Sequence, residues 1–189
     1  MTDGIVLRDI NKTIKKLLQQ NITELSDDTA IIFDSPGDIE ESNSTRLIAF
    51  LYHIIENSHM RNTLPIYPKY TEKQPTPLIL DLHFMFVPYA KTRETEIIVM
   101  EKLMQIFYDN AVLRGDLLED GLTSSGNDEI RIVPQTLSLD DLHKLWSTFQ
   151  NKSFRLSKSY IITPVKVPSE RRGDVSRVTE KIITSASIN

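Results

Sequence analysis

The chain has no cysteine. Disulfides, Cys-based zinc sites and thiol chemistry are thereby excluded, and the absence fits assembly in a reducing compartment. There is no basic excess either: 22 Lys and Arg stand against 26 Asp and Glu, for a net charge of −4. Nucleic-acid binders carry a basic domain or stripe, so no nucleic-acid partner is expected. No apolar run approaches the length of a membrane span, and no membrane partner is expected. Residues 1–20 carry Asp3 and Asp9 among the apolar positions and lack an apolar h-region, so no signal peptide is expected there. The familiar catalytic signatures are missing as well. There is no Gly-rich phosphate loop, no His-Glu-x-x-His, no Gly-x-Ser-x-Gly and no EF-hand loop. No cofactor or metal is implied, and no internal repeat or low-complexity block occurs.

What is present is an ordinary globular composition, 189 residues with 40% apolar and 25% charged. One domain with tails is expected, and a chain of this size buries roughly 70% of its unfolded surface without a staple.

The strongest signal lies in residues 77–113. Leu78, Leu80, Leu82, Phe84 and Phe86 alternate without a break, which predicts a strand with one fully buried face. The other face, Ile79, Asp81, His83, Met85 and Val87, is mixed. Pro88 cannot donate to a ladder and is expected to end the strand. The period then turns helical. Ile97, Met100, Met104 and Phe107 recur, with Val99, Leu103 and Ile106 widening the stripe, and the helix is expected to end near Leu113. Gly115 suits the left-handed position past a helix end, and Asp116 with Glu119 has capping-box spacing.

Elsewhere the pattern is plainer. Residues 4–25 predict an amphipathic helix with Leu7, Ile10, Ile14, Leu17 and Leu18 inward, and Lys12, Lys15, Lys16 and Gln19 solvated. Ala30-Ile31-Ile32-Phe33 reads as a short strand closed by the turn Asp34-Ser35-Pro36-Gly37. Residues 47–55 are apolar on both parities, which fits a strand covered on both faces or a buried helix segment. Residues 56–74 show no clear period and read as a long connection. Residues 119–128 read as a Gly/Ser/Asn/Asp loop. Ile130, Ile132 and Val133 predict a strand stopped by Pro134. Ser138 opens a helix with Asp140 and Asp141 in its first turn and Leu139, Leu142, Leu145, Trp146 and Phe149 as its buried stripe. A last strand spans 155–167, where Pro164 implies an edge or a bulge. Residues 1–167 form the expected domain. Residues 168–189 are thinly apolar and read as an extended C-terminal arm, flexible or partner-bound.

Two features raise chemistry. Asp81 and His83, two apart on a strand, share a face, so they pose a general-base pair, part of a metal site without a third ligand at a telling spacing, or a polar sheet face against solvent or a neighbouring subunit. Arg-Gly-Asp occurs at 114–116 and 172–174. The first has a structural account as a helix stop and restart, against an adhesion reading. In the arm, Arg171, Arg172, Arg177 and Lys181 interleave with Glu170, Asp174 and Glu180, which implies neither nucleic acid nor anionic lipid.

Composition and spacing on their own describe a soluble α/β (α+β) domain, a small mixed or antiparallel sheet flanked by helices, with an arm and without catalytic motifs. A family resemblance adds to this. It is carried by Asp34-Ser35-Pro36; Arg46-Leu47 with Phe50-Leu51-Tyr52; Arg61-Asn62; Pro77-Leu78 with Leu80-Asp81-Leu82-His83-Phe84; and Pro88-Tyr89-Ala90. It continues through Met104-Gln105, Asp109-Asn110, Val112-Leu113, Leu142 with Leu145-Trp146-Ser147 and Phe149, and Arg155-Leu156-Ser157 with Tyr160 and Pro164-Val165. In order and spacing these fragments resemble the tail-terminator, or cap, proteins of phage-tail-like extracellular contractile injection systems. Ala111 departs from the family, which often has proline there, and some relatives carry a longer C-terminal region.

The resemblance implies a structural protein, not an enzyme: a homo-oligomeric, sixfold ring at the distal end of the inner tube and sheath, with the tube and sheath proteins as partners. It implies assembly in the bacterial cytoplasm, into a particle that can be released. An adaptor ring elsewhere in the same particle, or an enzyme using Asp81 and His83, are the alternatives. Asp81, His83 and Tyr89, with Arg171, Arg172, Val175, Arg177 and Val178 of the arm, are the candidate partner-binding residues.

Overall fold

A computed structural model describes residues 5–39, 44–61, 66–69, 72–74, 76–150, 152–169, 171 and 173–174. In chain order its elements are helix α1 (Val6–Asn21), strands β1 (Ile31–Ile32), β2 (Arg46–Glu56), β3 (Ile66–Lys69), β4 (Glu72–Gln74) and β5 (Leu78–Tyr89), and helix α2 (Arg93–Asp109). There follow β6 (Val112–Arg114), α3 (Asp120–Ser124), β7 (Glu129–Gln135), α4 (Leu139–Ser147), β8 (Lys158–Val167) and β9 (Gly173–Asp174). The main sheet is mixed and six-stranded, in the order β1-β2-β5-β8-β7-β6. Only β1 on β2 is parallel; the other four pairings are antiparallel. The expected α+β class holds.

The sheet separates two cores because side chains alternate along each strand. Leu80, Leu82, Phe84 and Phe86 of β5 point into the larger one, with Ile10, Ile14, Leu17 and Leu18 of α1, Val99, Leu103 and Phe107 of α2, and Leu122 of α3. Phe86, Phe107 and Tyr160 meet edge to face at 4.9–5.9 Å. Met85 and Val87, on the opposite parity, join Ile48, Trp146 and Phe149 in a smaller core under α4. Each such side chain contributes roughly 1.5–3 kcal/mol by leaving water. One glycine is required by packing. A Cβ on Gly121 would lie 2.2 Å from Asp9 Oδ2, and Asp9 is buried against α3 with Lys12 Nζ at 3.2 Å.

Two prolines fail to end their strands. β5 runs one residue past Pro88 to Tyr89, and β7 one past Pro134 to Gln135. The reason is shared. β8 leaves β5 at the Phe86–Lys158 pair, and β6 leaves β7 at Val112–Arg131, so each proline needs a ladder on one side only. Pro164 sits where the β5–β8 register shifts, beside a cis Thr163-Pro164 bond, in the bulge its place in the strand implies.

The second helix departs furthest from expectation. It stops at Asp109, where Asn110 Nδ2 donates to the Ile106 carbonyl at 2.9 Å. Val112–Arg114 is strand β6, with Leu113 buried opposite Ile130. Gly115 is left-handed (φ 55°), but it follows a strand and opens a 3-10 turn, Gly115–Leu117. Glu119 makes no capping box with Asp116. Its backbone N–H donates to Thr13 Oγ1 of α1, and the expected loop after it contains α3. The inward stripe of α2 is Glu96, Val99, Met100, Leu103 and Phe107, leaving Ile97 and Met104 exposed. Thr92 Oγ1 accepts the Thr95 N–H and fixes the helix start, so its phase follows from there.

Other boundaries also move. α1 ends at Asn21 and a separate 3-10 turn covers Thr23–Leu25. Residues 47–49 of β2 are buried, yet 53–56 are exposed, so the strand is covered only along its first half. Leu78 at the start of β5 is exposed, as is Leu139 at the start of α4. The connection 56–74 is not structureless. It holds a 3-10 turn, Ser58–Met60, and the hairpin β3–β4, and β9 joins that hairpin in a three-stranded sheet, β3-β4-β9.

Candidate functional site

Asp81 and His83 lie on the α4 side of β5, beyond the part that α4 covers. Each is held by a different set of neighbours. Asp81 accepts from Asn57 Nδ2 (3.0 Å to Oδ1, 3.3 Å to Oδ2) and from the Thr163 hydroxyl. Asn57 Oδ1 in turn accepts the His59 and Met60 N–H groups and caps the 3-10 turn after β2. The carboxylate therefore ties the end of β2 to the bulge of β8, next to Pro164. His83 is buried, with Nδ1 3.0 Å from Gln135 Oε1, and the Tyr52 hydroxyl donates to the same oxygen at 2.8 Å. A shared acceptor requires the imidazole proton on Nδ1. Burial pushes the Tyr52 phenol above its ordinary pKa. The His53 ring lies 5.5 Å from the His83 ring, across the β2–β5 pairing.

The register continues this row across four strands: His53 of β2, His83 of β5, Ile161 of β8 and Val133 of β7. His53 and Val133 are exposed, so the row forms a partly open sheet face with two histidines at one end and two β-branched residues at the other. Its chemistry suits contact. Asp81 and His83 each bond elsewhere, and among the described residues no three His, Cys, Asp or Glu side chains converge to hold a metal.

Tyr89 belongs to a second cluster at the other end of β5. The Arg155 guanidinium lies 4.3 Å over its ring. Arg155 also bonds Glu96 Oε1 at 2.9 Å, and Arg93 bonds Glu96 Oε2 at 2.8 Å. Glu96 is buried on the inward face of α2, so one carboxylate joins that helix to the chain entering β8 and to the Pro88-Tyr89-Ala90 corner. Sequence reasoning missed Glu96, although its spacing of three, seven and eleven residues from Val99, Leu103 and Phe107 marks it as inward. It also missed Asn57, whose only local role is the cap, and Tyr52, Gln135 and Thr163, whose partners here are distant in sequence.

Among the arm residues, Arg171 is exposed, with its N–H on Ser169 Oγ. Arg172, Val175, Arg177 and Val178 lie outside the described residues. The described structure does not bring Arg171 to Asp81, His83 or Tyr89. Of the two Arg-Gly-Asp tripeptides, the first has Arg114 on Glu129 at 2.5 Å, and the second places Gly173 and Asp174 in β9. Among the described residues no helix is long and apolar enough to cross a membrane.

A solved structure described as the sheath/tube terminator of PVC, an extracellular contractile injection system, in its extended state, superposes with a TM-score of 0.69. It is 22% identical and is matched over 100% of this chain and 66% of its own. The tube-terminating cap of the anti-feeding prophage superposes with a TM-score of 0.70 at 18% identity, over 93% of this chain and 60% of the other. The chain thus spans about two thirds or less of the solved relatives it matches. No curated protein sequence matches it. The family model of the Pvc16 N-terminal domain matches residues 9–181. With nearly the whole described fold inside that match, the chain belongs to the Pvc16 N-terminal domain family.

Proposed function

We propose that this protein terminates and caps the inner tube and sheath of a phage-tail-like contractile injection system, as a sixfold ring at the distal end. The observation that carries this reading is the superposition, over the whole chain, on a sheath/tube terminator. The physics of assembly supports it. Tube and sheath rings stack head to tail, and heterologous contacts of that kind make open filaments. A terminator must match the last ring on one side and offer no docking surface on the other.

The partly open sheet face bearing His53, His83 and Val133 is a partner-contact surface in this reading. The Tyr89 corner is the second, and Arg171, Arg172, Val175, Arg177 and Val178 belong to an arm, residues 168–189, that meets a neighbour. Asp81 and His83 serve folding and contact, not catalysis. The particle is assembled in the bacterial cytoplasm and released with its cap in place. Native mass measurement of the purified protein tests the ring. A sixfold multiple of the 21.7 kDa chain is expected, together with co-sedimentation with tube and sheath proteins. A monomer at all concentrations that fails to sediment with either contradicts the reading.

A further inference from the structure

Among the described residues, the outer edge of β2 is the longest strand edge left open. β1 pairs with it only at Leu47 and Ile48, and among the described residues no strand lies against 49–56. The other edges are managed. β1 has two residues, β6 has three, β9 has two, and β3 carries Pro68. Short edges and prolines discourage strand addition. β2 has neither defence: beyond its bulge at Leu51–His53 it runs exposed through His53, Ile54, Ile55 and Glu56, with Ile54 44% and Ile55 40% accessible. Such a row of unpaired N–H and C=O groups recruits an extended segment by main-chain hydrogen bonding.

The chain carries a matching segment. β9 pairs antiparallel with β4, Asp174 opposite Glu72. Glu72 is the first residue of β4, so one step past Asp174 the chain has run beyond β4 at the turn of the β3–β4 hairpin. That turn is the end of the hairpin remote from its joins to β2 and β5. Residues 175–189 continue from there, about 50 Å if extended. They contain Val175, Val178, Thr179, Ile182, Ile183, Thr184 and Ile188, and no charged side chain after Lys181. The uncharged stretch 182–188, rich in β-branched residues, suits a strand.

We infer that residues 182–188 of one copy add as a strand to the outer edge of β2, across residues 50–56, in the next copy. Donor and acceptor are different surfaces, so the contact is heterologous, and where its rotation closes, as the sixfold reading requires, its repetition makes a ring. The inference rests on the ring reading above, and the test separates the two.

Because the chain has no cysteine, single introduced thiols are unique. Full-length Ile55→Cys is mixed with full-length Ile182→Cys, Ile183→Cys or Thr184→Cys, oxidised and run without reductant. A covalent dimer is expected in at least one mixture and in neither component alone, since a disulfide requires Cα atoms within about 7 Å. The double variant Ile54→Lys/Ile55→Lys is expected to lose the ring while keeping its melting temperature. Monomeric cross-linking of a chain carrying both thiols, without dimer, overturns the inference by returning the segment to its own edge. A ring of unchanged native mass that cross-links at none of the three positions overturns it while sparing the capping function. A protein that is monomeric throughout overturns both.

Discussion

On one face of the six-stranded sheet, Leu82, Phe84 and Phe86 lie under α1, α2 and α3. On the other, Met85 and Val87 lie under α4, while His83 and Asp81, two and four residues before Met85, do not. The same strand supplies both faces, so the difference comes from what covers them. The first face is apolar wherever it is buried and is closed within the chain. The second changes along β5 from a small aromatic core to a polar network, Tyr52–Gln135–His83 and Asn57–Asp81–Thr163. A sheet face that is satisfied but not covered retains its shape while remaining available for contact. That asymmetry assigns stability to the first face and, in the function proposed above, leaves the second for contact with a partner.

The comparison can be broken by substitution. The largest effect is expected from Phe84→Ala, which opens a cavity in the closed core and should cost about 3–5 kcal/mol. Met85→Ala, one residue on but facing α4, should cost about 2 kcal/mol, because its thin cover can settle into the gap. Equal losses in denaturant titrations would deny the difference between the faces. Next is Glu96→Gln. It removes the charge that Arg93 and Arg155 share, and a loss of about 2 kcal/mol is expected, below the figure for a fully buried pair because both arginines are partly exposed. The smallest effect is acid sensitivity on the closed side. The Lys102 ammonium bonded to Glu24 holds that carboxyl below its ordinary pKa. Its contribution is present above the unfolded glutamate pKa and is lost as pH falls through the depressed folded value. Being solvent-screened, it should amount to a few tenths of a kcal/mol, and Lys102→Met should remove most of it in melts taken across that range.

The closed face was largely legible in the sequence. An unbroken alternation from Leu80 to Phe86 and the helical stripe of α1 both report burial directly, because the side chains they meet in that core are apolar. α4 was legible from its Ser138 cap and from Trp146 and Phe149. The failures share a cause. Val112 and Leu113 continue the apolar pattern of α2, so nothing local separates β6 from the helix; only the pairing with Arg131 and Ile130 does. Glu96 was hidden because a carboxylate on an apolar stripe declares itself only once Arg155, fifty-nine residues on, reaches it. The open edge of β2 could not be read at all. It depends on where β1 stops, and the apolar residues 47–55 look the same whether a strand covers them or not.

In the proposed function this protein stops tube and sheath growth. The most direct measurement is the distribution of particle lengths, by electron microscopy, in cells lacking it. Tubes or sheaths of uncontrolled length are expected, with uniform length restored when the intact chain is returned. Uniform, stably sheathed particles in its absence would contradict the account.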